Sequence, residues 1–132
     1  MKVFLDNNLS PKIARALAEL FRDEHEVVAL KDKFKTDIKD EEWIGRLSQE
    51  DKWVVISGDR RMTKNKVEYN AFRRSRLVGF FLSPALQKAG VIKQLERILA
   101  LWFNIEKQVD LVQGSAMFEM QITGTNFRQI KH

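Results

Sequence analysis

The stretch that most constrains the fold is the first twenty residues, MKVFLDNNLSPKIARALAEL. Val3, Phe4 and Leu5 form a short apolar run suited to a strand buried on both faces, the kind that parallel sheets require. Asp6 falls at its carboxyl end. The Ser10 hydroxyl is placed to cap a following helix, and Pro11 carries a preset φ at the first helical position, so a helix is predicted to begin there. Ile13, Leu17, Leu20 and Phe21 then recur at helical spacing and make one apolar stripe that can lie back on the sheet. An aspartate in the mouth of such a βα unit stands where open α/β sheets bind ligands.

The same plan recurs downstream. Val27, Val28, Ala29 and Leu30 read as a second strand, and the charged segment 31–39 as a loop over the sheet edge. Asp40 reads as the N-cap of a helix to Glu50, with Glu41 and Glu42 in its first turn and Trp43, Ile44 and Leu47 facing inward. The run WVVIS at 53–57 is a third strand, and Asp59 just beyond it mirrors Asp6. Arg60, Arg61, Lys64 and Lys66 form a basic loop, followed by a short helix over about residues 67–74 with Val67, Ala71 and Phe72 inward. Arg73, Arg74 and Arg76 extend that basic surface. LVGFFL at 77–82 is a fourth strand, and Ser83-Pro84 repeats the capping signal before a long helix that breaks or kinks near Gly90. Ile92, Leu95, Leu99, Trp102 and Phe103 are its predicted inner face. His25 reads as a loop histidine and the three tryptophans as core.

The tail departs from this plan. Phe118, Met120 and Ile122 alternate with Glu119, Gln121 and Thr123, and Gly124 can turn the chain, so a C-terminal hairpin or edge strand is expected. Such an edge can cover the core or pair with a second copy, making a homodimer. The reading is a single domain over 1–132, with an α/β core at 1–104 and a C-terminal extension at 105–132. A chain of 132 residues with 44% hydrophobic content can fold without covalent staples. The absence of cysteine excludes disulfides and thiolate metal sites and suits a reducing cytoplasm. No leader-like or membrane-spanning run is read, so a soluble cytoplasmic protein with no membrane partner is expected. The net charge of +5 favours a polyanion as partner.

Parallel strands joined by right-handed crossovers place all strand-to-helix turns along one sheet edge. Asp6, Asp40 and Asp59 are therefore predicted to share it. Singly, each has a plain structural role: Asp6 and Asp59 suit turns, and Asp40 suits a helix cap. Together they would repel unless a hard cation such as Mg²⁺ or Mn²⁺ neutralised them, and such an ion can stabilise a phosphoryl transition state. Asn7, Glu42 and Glu68 are accessory candidates. Asn7 could orient Asp6, and Glu68 could add a fourth carboxylate. Arg60, Arg61, Lys64, Lys66 and Arg73 are candidates for holding nucleic-acid phosphates.

DNNLSPKIARAL, DEEWIGRLSQEDKWVVISGD and the basic turn after it resemble the bacterial PIN-like domains, relatives of toxin–antitoxin ribonucleases. The resemblance implies a three-layer α/β/α sandwich with a mainly parallel sheet. It also implies metal-dependent phosphodiester hydrolysis, usually of RNA, with Asp6, Asp40 and Asp59 around Mg²⁺ or Mn²⁺. The implied partners are an RNA or DNA substrate and an antitoxin protein. Such chains commonly read Asp-Glu-Asn after the first strand and carry a second aspartate two residues past the strand-three one. Here those places hold Asn7 and Arg61, which makes the pocket less acidic. One alternative is a non-catalytic nucleic-acid-binding or regulatory module on the same fold. A receiver-like phosphoacceptor domain is another, disfavoured because it needs a fifth parallel strand ending in lysine.

Overall fold

The computed structural model describes residues 1–131 as alternating strands and helices around one six-stranded sheet. The elements in order are β1 (Lys2–Leu5), α1 (Pro11–Leu20), β2 (Glu26–Ala29), α2 (Leu30–Lys33), α3 (Asp40–Glu50) and β3 (Trp53–Ser57). They continue with α4 (Arg61–Lys64), α5 (Lys66–Arg73), β4 (Val78–Leu82), α6 (Pro84–Gln87), α7 (Val91–Leu111), β5 (Ala116–Met120) and β6 (Arg128–Gln129). Strand order is β2-β1-β3-β4-β5-β6, parallel through β5, with β6 antiparallel at the edge. The order reverses between β1 and β3, and the carboxyl ends of those two strands therefore flank the crevice where doubly wound sheets take ligands.

Period-two alternation sends the strand side chains into two cores. Val3, Leu5, Val54, Ile56, Phe80 and Phe118 pack under α1 and α7, while Phe4, Trp53, Val55, Phe81 and Met117 pack under α3 and α5. The result is the expected three-layer α/β/α sandwich. Gly79 shows how tight the second layer is: a Cβ there would lie 2.8 Å from the Phe72 ring and 2.7 Å from that of Phe81. Ser10 caps α1 as predicted, donating nothing and accepting from the Lys12 amide, with Pro11 next. Trp43, Trp53 and Trp102 are all buried.

One crossover has an unexpected hand. The chain moves from β1 to β2 in one direction with α1 on one face, and from β4 to β5 in the other direction with α7 on that same face. Those two connections are of opposite hand, against the rule that parallel crossovers share one. On that face α7 meets the turn after α1: Trp102 stacks on Phe21 with centroids 4.4 Å apart, and Glu106 lies 4.0 Å from the His25 ring. His25 is thus packed between helices, with Nδ1 2.8 Å from the amino terminus, rather than a bare loop residue.

Several local expectations are corrected. Leu20 and Val67 are each 61% exposed, so α1 buries Ile13, Ala14 and Leu17, and α5 buries Phe72. The helix after Ser83-Pro84 is two helices, α6 and α7, with Gly90 as the cap between them. On α7, Ile92, Leu99 and Phe103 face outward, and Gln94, Ile98, Leu101, Ile105 and Val109 join Trp102 on the buried side. Part of the segment 31–39 is helical. The tail forms its antiparallel pair at the sheet edge, but β5 itself is an interior strand, parallel to β4 and buried throughout. It ends at Met120, so a fifth parallel strand exists without the lysine that a receiver needs. Among the described residues, no helix is long and apolar enough to cross a membrane.

Candidate functional site

Asp6 leaves the carboxyl end of β1 and is 5% exposed. The Asn8 amide donates to one carboxylate oxygen at 3.1 Å, and the Ser57 hydroxyl, at the end of β3, donates to the other at 2.5 Å. Burial disfavours the ionised form and pushes its pKa up from 3.8 to about 6. The bonds from Ser57 and Asn8 work against that rise, while the negative charge of Asp40 adds to it. Ser57 joins the two strand ends, since its hydroxyl also accepts from the Asp59 amide at 3.3 Å. The turns they carry meet at Gly58, where a Cβ would stand 2.6 Å from the Asn8 carbonyl oxygen. Only a residue without a side chain allows that approach.

Asp40 is the first residue of α3 rather than its N-cap, which is Lys39. Its carboxylate accepts from the Trp43 indole at 2.9 Å, a bond between the first turn and the core beneath. Asp59 accepts from the Arg61 amide at 2.8 Å, and the Arg61 guanidinium closes on its other oxygen. Glu68, on α5, is half-buried, and burial first, then Asp40 and Glu41, hold its pKa above the usual carboxylate value. Asn65 caps α5 by accepting from the Val67 and Glu68 amides, which fixes the turn between the last two acids.

These groups line one cavity of about 360 Å³, with Asp6, Asn7, Asp40, Asp59, Arg61 and Glu68 all on its wall. Glu42 is not among them: it faces a neighbouring cleft and pairs with Arg46 at 3.2 Å. The basic segment is also rearranged. It is helical from Arg61, and Arg60 turns inward to pair with Glu119 of β5 at 2.5 Å, a carboxylate that is 4% exposed as a residue. Arg60 is therefore tied to Glu119 across the sheet edge, and Arg61 is engaged by Asp59, so both of these cations already have a carboxylate partner. Lys64, Lys66 and Arg73 lie exposed, as expected.

The donors in this cavity are carboxylate and amide oxygens, the hard set that Mg²⁺ or Mn²⁺ prefers over softer metals. Asp6 fits such an ion well, because burial disfavours its ionised form and a cation beside it would offset that penalty. Among the described residues, however, no three His, Cys, Asp or Glu side chains stand close enough together to hold a metal ion as they are placed. Arg61 occupies Asp59, and an ion shared by the three aspartates would have to take its place.

Sequence reasoning did not find the Ser57 hydroxyl, Asn8, Asn65 or Glu119 as parts of this arrangement. Ser57 carried a signal, a hydroxyl at a strand end between two strand-ending acids. Glu119 carried none, because its partner is fifty-nine residues away. Neither the curated proteins nor the solved structures contain a match to the chain. A family model described as a PIN-like domain matches residues 1–84, a span holding Asp6, Asp40, Asp59 and Glu68. With more than half its length matched, the chain belongs to the PIN-like domain family, within a nuclease superfamily.

Proposed function

We propose that the protein is a metal-dependent endonuclease that cleaves RNA, with Asp6, Asp40 and Asp59 holding Mg²⁺ or Mn²⁺ and Glu68 supporting them. The observation that carries this reading is Asp6, a buried carboxyl with its pKa near 6, facing the same cavity as two more aspartates. Above about pH 6 Asp6 is ionised in a buried place, and a cation beside it would offset the cost of that burial. The bound ion would supply charge against the negative phosphoryl oxygens of the transition state. Ser57 and Asn8 hold the Asp6 oxygens in place, and Asn7 donates to the Thr36 carbonyl at 3.2 Å, bracing the turn beside it. Lys64, Lys66 and Arg73 attract the polyanion. As a relative of toxin–antitoxin ribonucleases, the chain would have an antitoxin protein as its inhibitor.

Titration calorimetry with Mn²⁺, paired with hydrolysis of a labelled single-stranded RNA, tests this. A binding event and cleavage in the wild type, both lost in Asp59→Asn, are expected. Equal Mn²⁺ heats from the two proteins would remove the three-aspartate site. The Arg61 guanidinium on Asp59 favours a second reading, a nucleic-acid-binding module without catalysis. RNA binding with no cleavage at any Mg²⁺ or Mn²⁺ concentration would establish that one instead.

A further inference from the structure

Beside the acidic cavity lies a larger cleft of about 640 Å³, built by α2, the segment after it and the outer face of α3. We infer that this cleft is the subsite for the nucleotide next to the phosphate held at the aspartates, stacking its base on Phe34 and its phosphate between Lys35 and Lys39. The inference rests on the nuclease reading and gives its substrate a path.

Phe34 and Ile38 are half-buried and form an apolar floor. The Phe34 ring is braced underneath by Phe4, with centroids 5.9 Å apart, so its position is set by the core rather than by solvent. Most charges around the cleft are already matched. Lys33 pairs with Glu50 at 3.0 Å, Asp32 with Arg15 at 3.2 Å and Glu42 with Arg46 at 3.2 Å. Lys35 and Lys39 have no ion pair among the described residues and are exposed, as is the acid Asp37 between them. An aromatic ring in the lining, with the Lys33 ammonium 5.6 Å from its centroid and two uncommitted lysines in the same cleft, matches a nucleotide, whose base offers a π face and whose phosphate takes the cations.

The cleft is also joined to the site. Ile38 lines both spaces, and Asn7, which follows Asp6, donates to the backbone of Thr36 inside the cleft-forming segment. A strand of nucleic acid with one phosphate at the aspartates therefore reaches Phe34 without crossing the fold. The volume is in the range of pockets that hold small ligands, roughly 300–1,000 Å³.

The test measures binding of a fluorescein-labelled single-stranded RNA to the full chain in EDTA by anisotropy, so that cleavage plays no part. Phe34→Leu keeps an apolar side chain over Phe4 but removes the stacking face, and should weaken binding about tenfold. The double variant Lys35→Ala/Lys39→Ala, both surface positions, should weaken it and lower the slope of log affinity against log salt by about 1–2. Wild-type binding that neither cleft variant changes would overturn the subsite while leaving the nuclease reading intact, and would leave the cleft to a protein partner. Mn²⁺ binding and RNA cleavage lost in Asp59→Asn test the nuclease reading separately. A wild type that binds no RNA in EDTA would overturn the subsite, and cleavage with Mn²⁺ decides the nuclease reading by itself.

Discussion

Replacing Asp6 with asparagine isolates the cost of holding a carboxylate in that position. The folded protein keeps the Asp6 proton to about pH 6, whereas the unfolded chain releases it near its ordinary value of 3.8. At about 1.4 kcal/mol per pH unit, that difference amounts to about 3 kcal/mol. Its sign follows from which state holds the proton. Below 3.8 both states are protonated and the contribution to stability is fully present. Between 3.8 and 6 only the unfolded chain ionises, and stability falls until the folded carboxyl ionises too. Asparagine cannot ionise, but its single oxygen can accept from Ser57 or from Asn8 and not from both, a loss of about 1 kcal/mol. The variant should therefore be slightly the less stable at pH 4 and the more stable at pH 7.5, with the gap shifting by about 2–3 kcal/mol between them. Urea melts at the two pH values measure this directly. Saturating Mn²⁺ at pH 7.5 should then raise the wild type by about 2.7 kcal/mol at a hundredfold excess over Kd and leave the variant unmoved. Wild-type and variant stabilities that run parallel from pH 4 to pH 7.5 would refute the buried, proton-holding Asp6.

Three further outcomes test the supports of the site. Glu119→Gln removes the charge facing Arg60, whose Nε is already buried without a hydrogen-bond partner, and should destabilise the fold by about 3 kcal/mol in urea melts. Gly58→Ala would drive a methyl group into the Asn8 backbone, and should lower stability by about 1–3 kcal/mol and weaken Mn²⁺ binding as the two turns separate. Arg61→Ala frees Asp59 from its guanidinium, and calorimetry should show tighter Mn²⁺ binding, where unchanged affinity would mean that Arg61 does not compete for that carboxylate.

The strands and the acids were legible because their signals are local. VFL, WVVI and VGFFL carry no polar side chain because helices cover both faces of each strand, and an aspartate just after such a run is placed at the sheet edge by connectivity alone. What escaped depends on partners far along the chain. Glu119 made 116–120 look half-solvated, yet it is buried because Arg60 comes from another strand end to meet it. The same pair removed Arg60 from the basic surface. On α7, two apolar stripes share the helical period, one through Ile92, Leu99 and Phe103 and one through Ile98, Leu101 and Ile105. Composition cannot choose between them. The choice is made by the Phe21 ring that Trp102 stacks on. Asp40 read as a cap because capping is the commonest role for an aspartate at that point, yet it is the first helical residue and accepts from the Trp43 indole one turn on.

The Arg60–Glu119 strut also sets an order of events on the ribosome. The turn bearing Asp59 is translated well before Glu119, by sixty residues, on the order of several seconds at usual elongation rates. During that interval the nascent chain carries Asp6, Asp40 and Asp59 but nothing to anchor the arginine between them and β5. The Arg60 strut closes only when the last parallel strand slides in beside β4. Of the groups around the turn that bears Asp59, the Arg60 strut is thereby the one that waits for the far end of the sheet.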